Sequence, residues 1–183
     1  MGNTDSSPMN DDRPLPLALE AKSLAERGFF EAAAKKYRRS YDLYKESGAH
    51  ASAGRSLRLA VETGLQMPTI DYEVAAGAFE EVGSLYLTNM ITAVKAKEAH
   101  ANSIFALLAA GRIATAKGKY ADFVKKDERF AGSSEGLTAK MIMEAYQNGS
   151  KSQVTDCFDA FKDVDGAMPT WRESMIAKII ERL

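Results

Sequence analysis

The sequence predicts an all-α fold, a right-handed superhelix of antiparallel helix pairs, from three observations. Phe30-Glu31-Ala32-Ala33-Ala34 recurs as Tyr72-Glu73-Val74-Ala75-Ala76. The match continues from Tyr37 to Phe79 and from Leu43-Tyr44 to Leu85-Tyr86, always offset by 42 residues. Apolar residues fall three and four apart, as on one face of a helix. From Pro16 onward alanine is abundant and no stretch alternates β-branched with polar residues, so strands are not expected. A repeat of this length with helical spacing marks a TPR-like α-solenoid, here of about nine helices, which works through surface rather than chemistry. A binding platform is therefore expected, not an enzyme.

The elements follow in order. Residues 1–15 hold Gly2, Asn3, Ser6, Ser7, Pro8, Asn10 and three aspartates, a composition that cannot offset chain entropy by burial, and they read as a disordered leader. Residues 16–183 read as one helical repeat domain. Leu17 to Arg27 is the first helical stretch, closed by Gly28. Phe30 to Glu46 places Ala33, Tyr37, Tyr41 and Tyr44 in line before Gly48. Ala51 to Leu65 carries Leu57, Val61 and Leu65, and Met67-Pro68-Thr69 interrupts it because proline cannot continue a helix.

Asp71 to Tyr86 is the second copy, and its partner reads as one long helix from about Thr92 to Thr115. Lys117-Gly118-Lys119 reads as a turn, and Tyr120 to Lys126 as a shorter third version of the opening helix. Gly132-Ser133-Ser134 supplies a loop and a helix N-cap, then Leu137 to Gln147 is helical up to the Asn148-Gly149-Ser150 turn. Val154, Cys157, Phe158 and Phe161 share one face of a helix that ends at Asp165-Gly166. Thr170 and Glu173 form a candidate capping box for a last helix reaching Leu183.

Bulk properties narrow the function. With 24 basic and 25 acidic residues the net charge is −1, so no global attraction to nucleic acid exists and any electrostatic role needs local segregation of charge. The single cysteine, Cys157, cannot form an internal disulfide and suits a reducing compartment. Ile104 to Ala110, the longest apolar run, is too short to cross a bilayer, and a cytoplasmic location with at most peripheral membrane association is expected. Catalytic patterns are missing. His50 and His100 have no Cys, Asp or Glu at metal-ligand spacing, and no phosphate-binding glycine loop occurs. Glu80 and Glu81 point in different directions on a helix, which makes a poor acid/base pair. Neither a metal nor a cofactor is expected.

Tyr44-Lys45, Ser52-Ala53-Gly54-Arg55, Phe79-Glu80-Glu81-Val82-Gly83, Ala116-Lys117 and Met143-Glu144-Ala145-Tyr146 stand in an order and spacing that resembles the soluble NSF attachment proteins, the α/β-SNAP family. The terminal stretch from Trp171 to Leu183 is similar to that family's last helix, and the resemblance covers about residues 30–183. It implies an adaptor without an active site, whose concave face lies along a four-helix SNARE complex. It further implies that the C-terminal helices recruit an NSF-type AAA ATPase that takes the bundle apart. On the SNARE side it points to Arg55 and Lys97, with Arg58 one turn beyond Arg55 extending the basic strip; on the ATPase side it points to Glu144.

The departures from the family pattern also carry expectations. The family's several N-terminal helices are replaced by one helix and a polar leader. Phe29-Phe30 resembles the family's membrane loop only superficially and is expected to pack within the repeat. The family's acidic tail, which stimulates the ATPase, has no counterpart before Leu183. Gln147, Asn148 and Gly111 stand where the family carries acids, so ATPase coupling rests on fewer residues than SNARE binding does. The cluster Lys35, Lys36, Arg38, Arg39 spreads over more than one helix face and reads as a solubilising surface. Two rival readings share the fold: a generic TPR-like scaffold for an unrelated peptide or helix, and a tail-less competitor of a full-length SNAP.

Overall fold

The computed structural model of the protein describes residues 13–165 and 168–183, and the side chains of 162–165 lie outside that description. The described residues form nine α-helices and no strand: α1 (Pro14–Glu26), α2 (Phe30–Glu46), α3 (His50–Gly64), α4 (Tyr72–Leu87), α5 (Ala96–Ala109), α6 (Ile113–Lys126), α7 (Ser134–Gln147), α8 (Lys151–Asp165) and α9 (Thr170–Glu181). Consecutive helices pack on one another, most extensively α2 on α3 and α4 on α5, which gives the stacked antiparallel pairs the repeat predicts. The leader assignment falls mostly on residues outside the description. Pro14 and Leu15, at its end, already belong to α1, where Pro14 suits a first-turn position that needs no donor.

Glycine punctuates the stack. Gly28, Gly48, Gly111 and Gly149 all have φ between +64° and +82°, where a Cβ is disfavoured. Each lets the next residue's N–H reach back five residues, as Arg112 does to the Leu107 carbonyl. This corrects the long helix expected from Thr92 to Thr115. Gly111 ends α5 at Ala109, and a short 3₁₀ turn, Ala93–Lys95, precedes it. A second correction follows at Lys117-Gly118-Lys119, which lies inside α6: Gly118 is exposed with open space around its Cβ position, a helical glycine that costs about 1 kcal/mol against alanine.

Caps divide the same way. Asp71 accepts hydrogen bonds from the Glu73 and Val74 amides, and Ser133 caps α7 through the Gly136 amide. The Thr170/Glu173 box does not form, because α9 starts one residue early with Pro169 at the N-cap and Thr170 already helical. The expected end of α8 at Gly166 lies outside the described residues.

The core is centred on α5, buried on almost every side from Ala99 to Ala109 because α4, α6, α7 and α9 all pack against it. An apolar helix with no polar face requires such a position. Trp171 anchors α9 there, stacked on Phe79 at 5.8 Å. Cys157 is half-buried on α8, where burial pushes its thiol up and away from thiolate chemistry. Phe29 departs from expectation. It is 52% exposed with the Arg27 guanidinium 4.9 Å from its ring, while Phe30 is half-buried.

Candidate partner-binding face

Arg55 lies in α3 between buried neighbours, since Ala53, Gly54, Ser56 and Leu57 all face the core. Its side chain is turned to solvent and forms no ion pair with any described residue. Lys97, in the first turn of α5, is half-buried and likewise unpaired; its positive field helps hold the buried Asp127 carboxyl low, behind the larger effect of the Arg129 hydrogen bond. Arg55 and Lys97 are separated by 42 residues, the period of the repeat. They therefore stand at the same position of the repeat, one period apart in sequence.

Their sequence neighbours Arg58 and Glu98 belong to a neutral chain of charges. Arg58 donates from Nη1 to Glu62 Oε1 at 2.8 Å, and the Tyr86 hydroxyl lies near enough to feel its charge. Burial pushes the Glu62 carboxyl up, against the pull of Arg58. Glu98, next to Lys97, accepts from Arg172 Nη2 of α9 at 2.6 Å, and its negative field reaches both Arg58 and Glu62. Arg172 is itself buried, its guanidinium 5.1 Å from the Trp171 ring centroid. Two arginines and two glutamates thus cancel, whereas Arg55 and Lys97 have no ion-pair partner among the described residues. Arg58 is committed to the fold more than the strip expected from sequence implied.

Glu144 is exposed on α7, and no described hydrogen bond or ion pair joins it to this group. Arg55 and Arg58 share α3, Lys97 stands in the first turn of α5, and Glu144 lies on α7.

Sequence reasoning missed an apolar tip beside Lys97. Met90, Ile91 and Val94 are 96%, 84% and 62% exposed in the connection between α4 and α5. The Asn89 carboxamide accepts the Ile91 amide, an Asx turn that projects this pair outward. The available signal was two apolar residues placed where a connection should be polar. Three exposed apolar side chains on one short segment mark a contact surface.

Comparison with known proteins decides the family. The sequence model of the soluble NSF attachment protein family matches residues 20–183. The chain belongs to the SNAP family. It is also 25% identical over 156 residues to the vesicular-fusion protein SEC17 of Coprinopsis cinerea, an alignment covering 85% of this chain and 53% of that relative. The chain thus spans about half the length of the curated relative it matches. SNAP membership agrees with the nine described helices and the absence of described strands. Among the described residues no helix is long and apolar enough to cross a membrane, and no cluster of His, Cys, Asp or Glu has the makings of a metal site.

Proposed function

We propose that this SNAP-family chain is a non-enzymatic adaptor that receives an acidic SNARE bundle on the face carrying Arg55 and Lys97 and couples it to an NSF-type AAA ATPase through α7, with Glu144 on the ATPase side. The observation that carries this reading is the recurrence of an unpaired cation at the same position of two successive repeats, a spacing suited to a long rod-like ligand lying across the stack. Arg58, one turn from Arg55, lends orientation through its bond to Glu62, while Met90, Ile91 and Val94 add apolar contact. The setting is cytoplasmic, with peripheral membrane association through the bundle rather than through the chain itself.

Co-sedimentation with an assembled SNARE bundle at about 50 mM and about 500 mM salt tests the first half, because screened surface contacts weaken steeply over that range. Binding at low salt that the Arg55→Glu/Lys97→Glu double variant abolishes supports the reading; no binding at low salt removes it. For the second half, ATPase recruitment to the preformed complex should fall in Glu144→Lys. Bundle binding without any ATPase recruitment would instead describe a competitor of longer SNAPs.

A further inference from the structure

Arg172 stands where stability alone would not put an arginine. Its side chain is only 5% exposed, and the buried Nε–H has no described acceptor, an unmet donor that costs stability. It also occupies the first turn of α9, where the helix dipole disfavours a cation. The Trp171 and Phe161 ring centroids lie 5.1 Å and 5.9 Å from the guanidinium, so a methionine would find apolar company in the same place. Buried ion pairs replaced by apolar side chains of similar volume commonly hold a fold as well or better.

What Arg172 supplies instead is charge. Its Nη2 donates to Glu98 Oε1 at 2.6 Å, and this joins α9 to the first turn of α5. Glu98 is 41% exposed, so water solvates its carboxylate with or without the arginine. The field of Arg172 also reaches α3. Burial pushes the Glu62 carboxyl up, Arg58 pulls it down, Glu98 pushes it up again and Arg172 pulls it down.

The sign of this group depends on its fourth member. Arg58, Glu62 and Glu98 alone leave one negative charge, and Arg172 removes it. Glu98 directly follows Lys97, and Arg58 stands one turn from Arg55. Charges so close act within the screening length of about 10 Å in ordinary salt. An uncancelled acid there would therefore offset part of the attraction that the two unpaired cations offer.

We propose that Arg172 is a specificity-determining residue of the partner face: by neutralising Glu98 from α9, it keeps net negative charge away from Arg55 and Lys97 and so selects an acidic partner. The inference rests on the SNARE reading of that face. It makes α9 part of the recognition without requiring α9 to touch the bundle.

The test compares the full chain with Arg172→Met, Glu98→Gln and the double variant Arg172→Met/Glu98→Gln, all checked for folding by circular dichroism. In co-sedimentation at about 50 mM salt, Arg172→Met should weaken bundle binding at least about threefold, and the added Glu98→Gln should restore it. Glu98→Gln alone, whose amide oxygen still offers Arg172 an acceptor, should tighten binding. These differences should shrink toward about 200 mM salt, whereas a packing defect would persist. Independently of any partner, the Glu62 carboxyl followed by NMR should titrate higher in Arg172→Met and lower in Glu98→Gln. A Glu62 titration unmoved in both variants would overturn the inference, as would equal bundle binding by wild type and every variant. So would a loss in Arg172→Met that Glu98→Gln does not restore, which would make Arg172 a packing residue. A wild-type chain that binds no bundle at low salt would remove the SNARE reading itself, and the partner named here with it, even where Glu62 moves as expected.

Discussion

The unit formed by α2 and α3 and the unit formed by α4 and α5 are copies offset by 42 residues, and they have solved burial in opposite ways. Ala33 and Ala75 are buried alike, as are Tyr37 and Phe79. The copies part at Arg58, whose equivalent is His100. Arg58 is half-buried and bonded to Glu62, whereas His100 is sealed from solvent with neither ring nitrogen bonded to any described group. They part again where Tyr41 has Gly83 as its equivalent. Tyr41 donates to Glu81, while Gly83 supplies the space in which the His100 ring lies. α3 is flanked chiefly by α2 and α4, but α5 is enclosed by α4, α6, α7 and α9. A helix with two neighbours keeps an edge where charges pair in partial solvent. A helix with four loses that edge, and its polar residues must be neutral or be replaced.

Acid should expose this difference most strongly. Burial lowers the His100 pKa to about 4; Lys126 pushes in the same direction, and Asp127 and Glu80 oppose. The unfolded chain titrates this residue near 6.5, so below that pH the unfolded state binds the proton that the folded state refuses. The stability linked to His100 is intact above pH 6.5 and is lost as pH falls toward 4, by about 3 kcal/mol. Urea midpoints of the wild type between pH 7 and 4 should therefore fall more than those of His100→Leu, which keeps the carboxylates but removes this proton site. Parallel pH profiles for the two proteins would show that His100 is solvated in the folded state.

Gly83 offers the next largest effect. A methyl group there would overlap the His100 imidazole, which stacks face-on against Phe123 at 4.1 Å and cannot retreat. Gly83→Ala should destabilise by about 2 kcal/mol through overpacking. Gly77→Ala, two turns earlier on the same helix with nothing near the added carbon, should stabilise by about 0.5–1 kcal/mol through helix propensity alone. Thermal melts of the pair, with opposite signs expected, separate packing from propensity within one element.

How much of this was legible in the sequence follows the same division. The 42-residue register, the helix type and the glycine stops at Gly28, Gly48 and Gly149 were readable because each depends on a few adjacent residues. The break at Gly111 was not, since an apolar run through Ala110 continues the helical pattern up to the very residue that ends it. Lys117-Gly118-Lys119 misled in the other direction: turn composition is a local preference, and packing of Ala116 and Phe123 on the core overrides it. On the candidate face, Arg55 and Lys97 were visible as residue types. The neutralising pairs were hidden, because Glu98 meets Arg172 across 74 residues of sequence, a distance over which periodicity says nothing.

The outer unit's polar solution has a measurable strength of its own. Tyr41 and Lys45 both donate to Glu81, Lys45 at 2.6 Å, and these bonds outweigh burial to hold the Glu81 carboxyl below its ordinary range. Tyr41→Phe removes two bonds from this group, the one donated to Glu81 and the one accepted from Lys45 Nζ at 2.8 Å, and leaves the ring, which should cost about 1 kcal/mol in urea denaturation. The equivalent position in the unit of α4 and α5 is Gly83, which has no side chain to make such bonds. A Tyr41→Phe variant as stable as wild type would mean that Lys45 alone suffices for Glu81.

Arg55 and Lys97 should show the smallest effect on stability, and that is what distinguishes them. A residue retained for packing or pairing is missed by the fold when it is removed; these two touch no described acid, and Arg55 lies in solvent. Arg55→Gln and Lys97→Gln should each change stability by less than about 0.5 kcal/mol, within the range of ordinary surface substitutions. Equal indifference at both positions is the sharper expectation, because they are one site repeated in two units whose interiors have diverged. If Lys97→Gln destabilises while Arg55→Gln does not, then the inner unit has taken Lys97 into its structure through Asp127, and the two-cation spacing proposed for the partner face reduces to a single free charge.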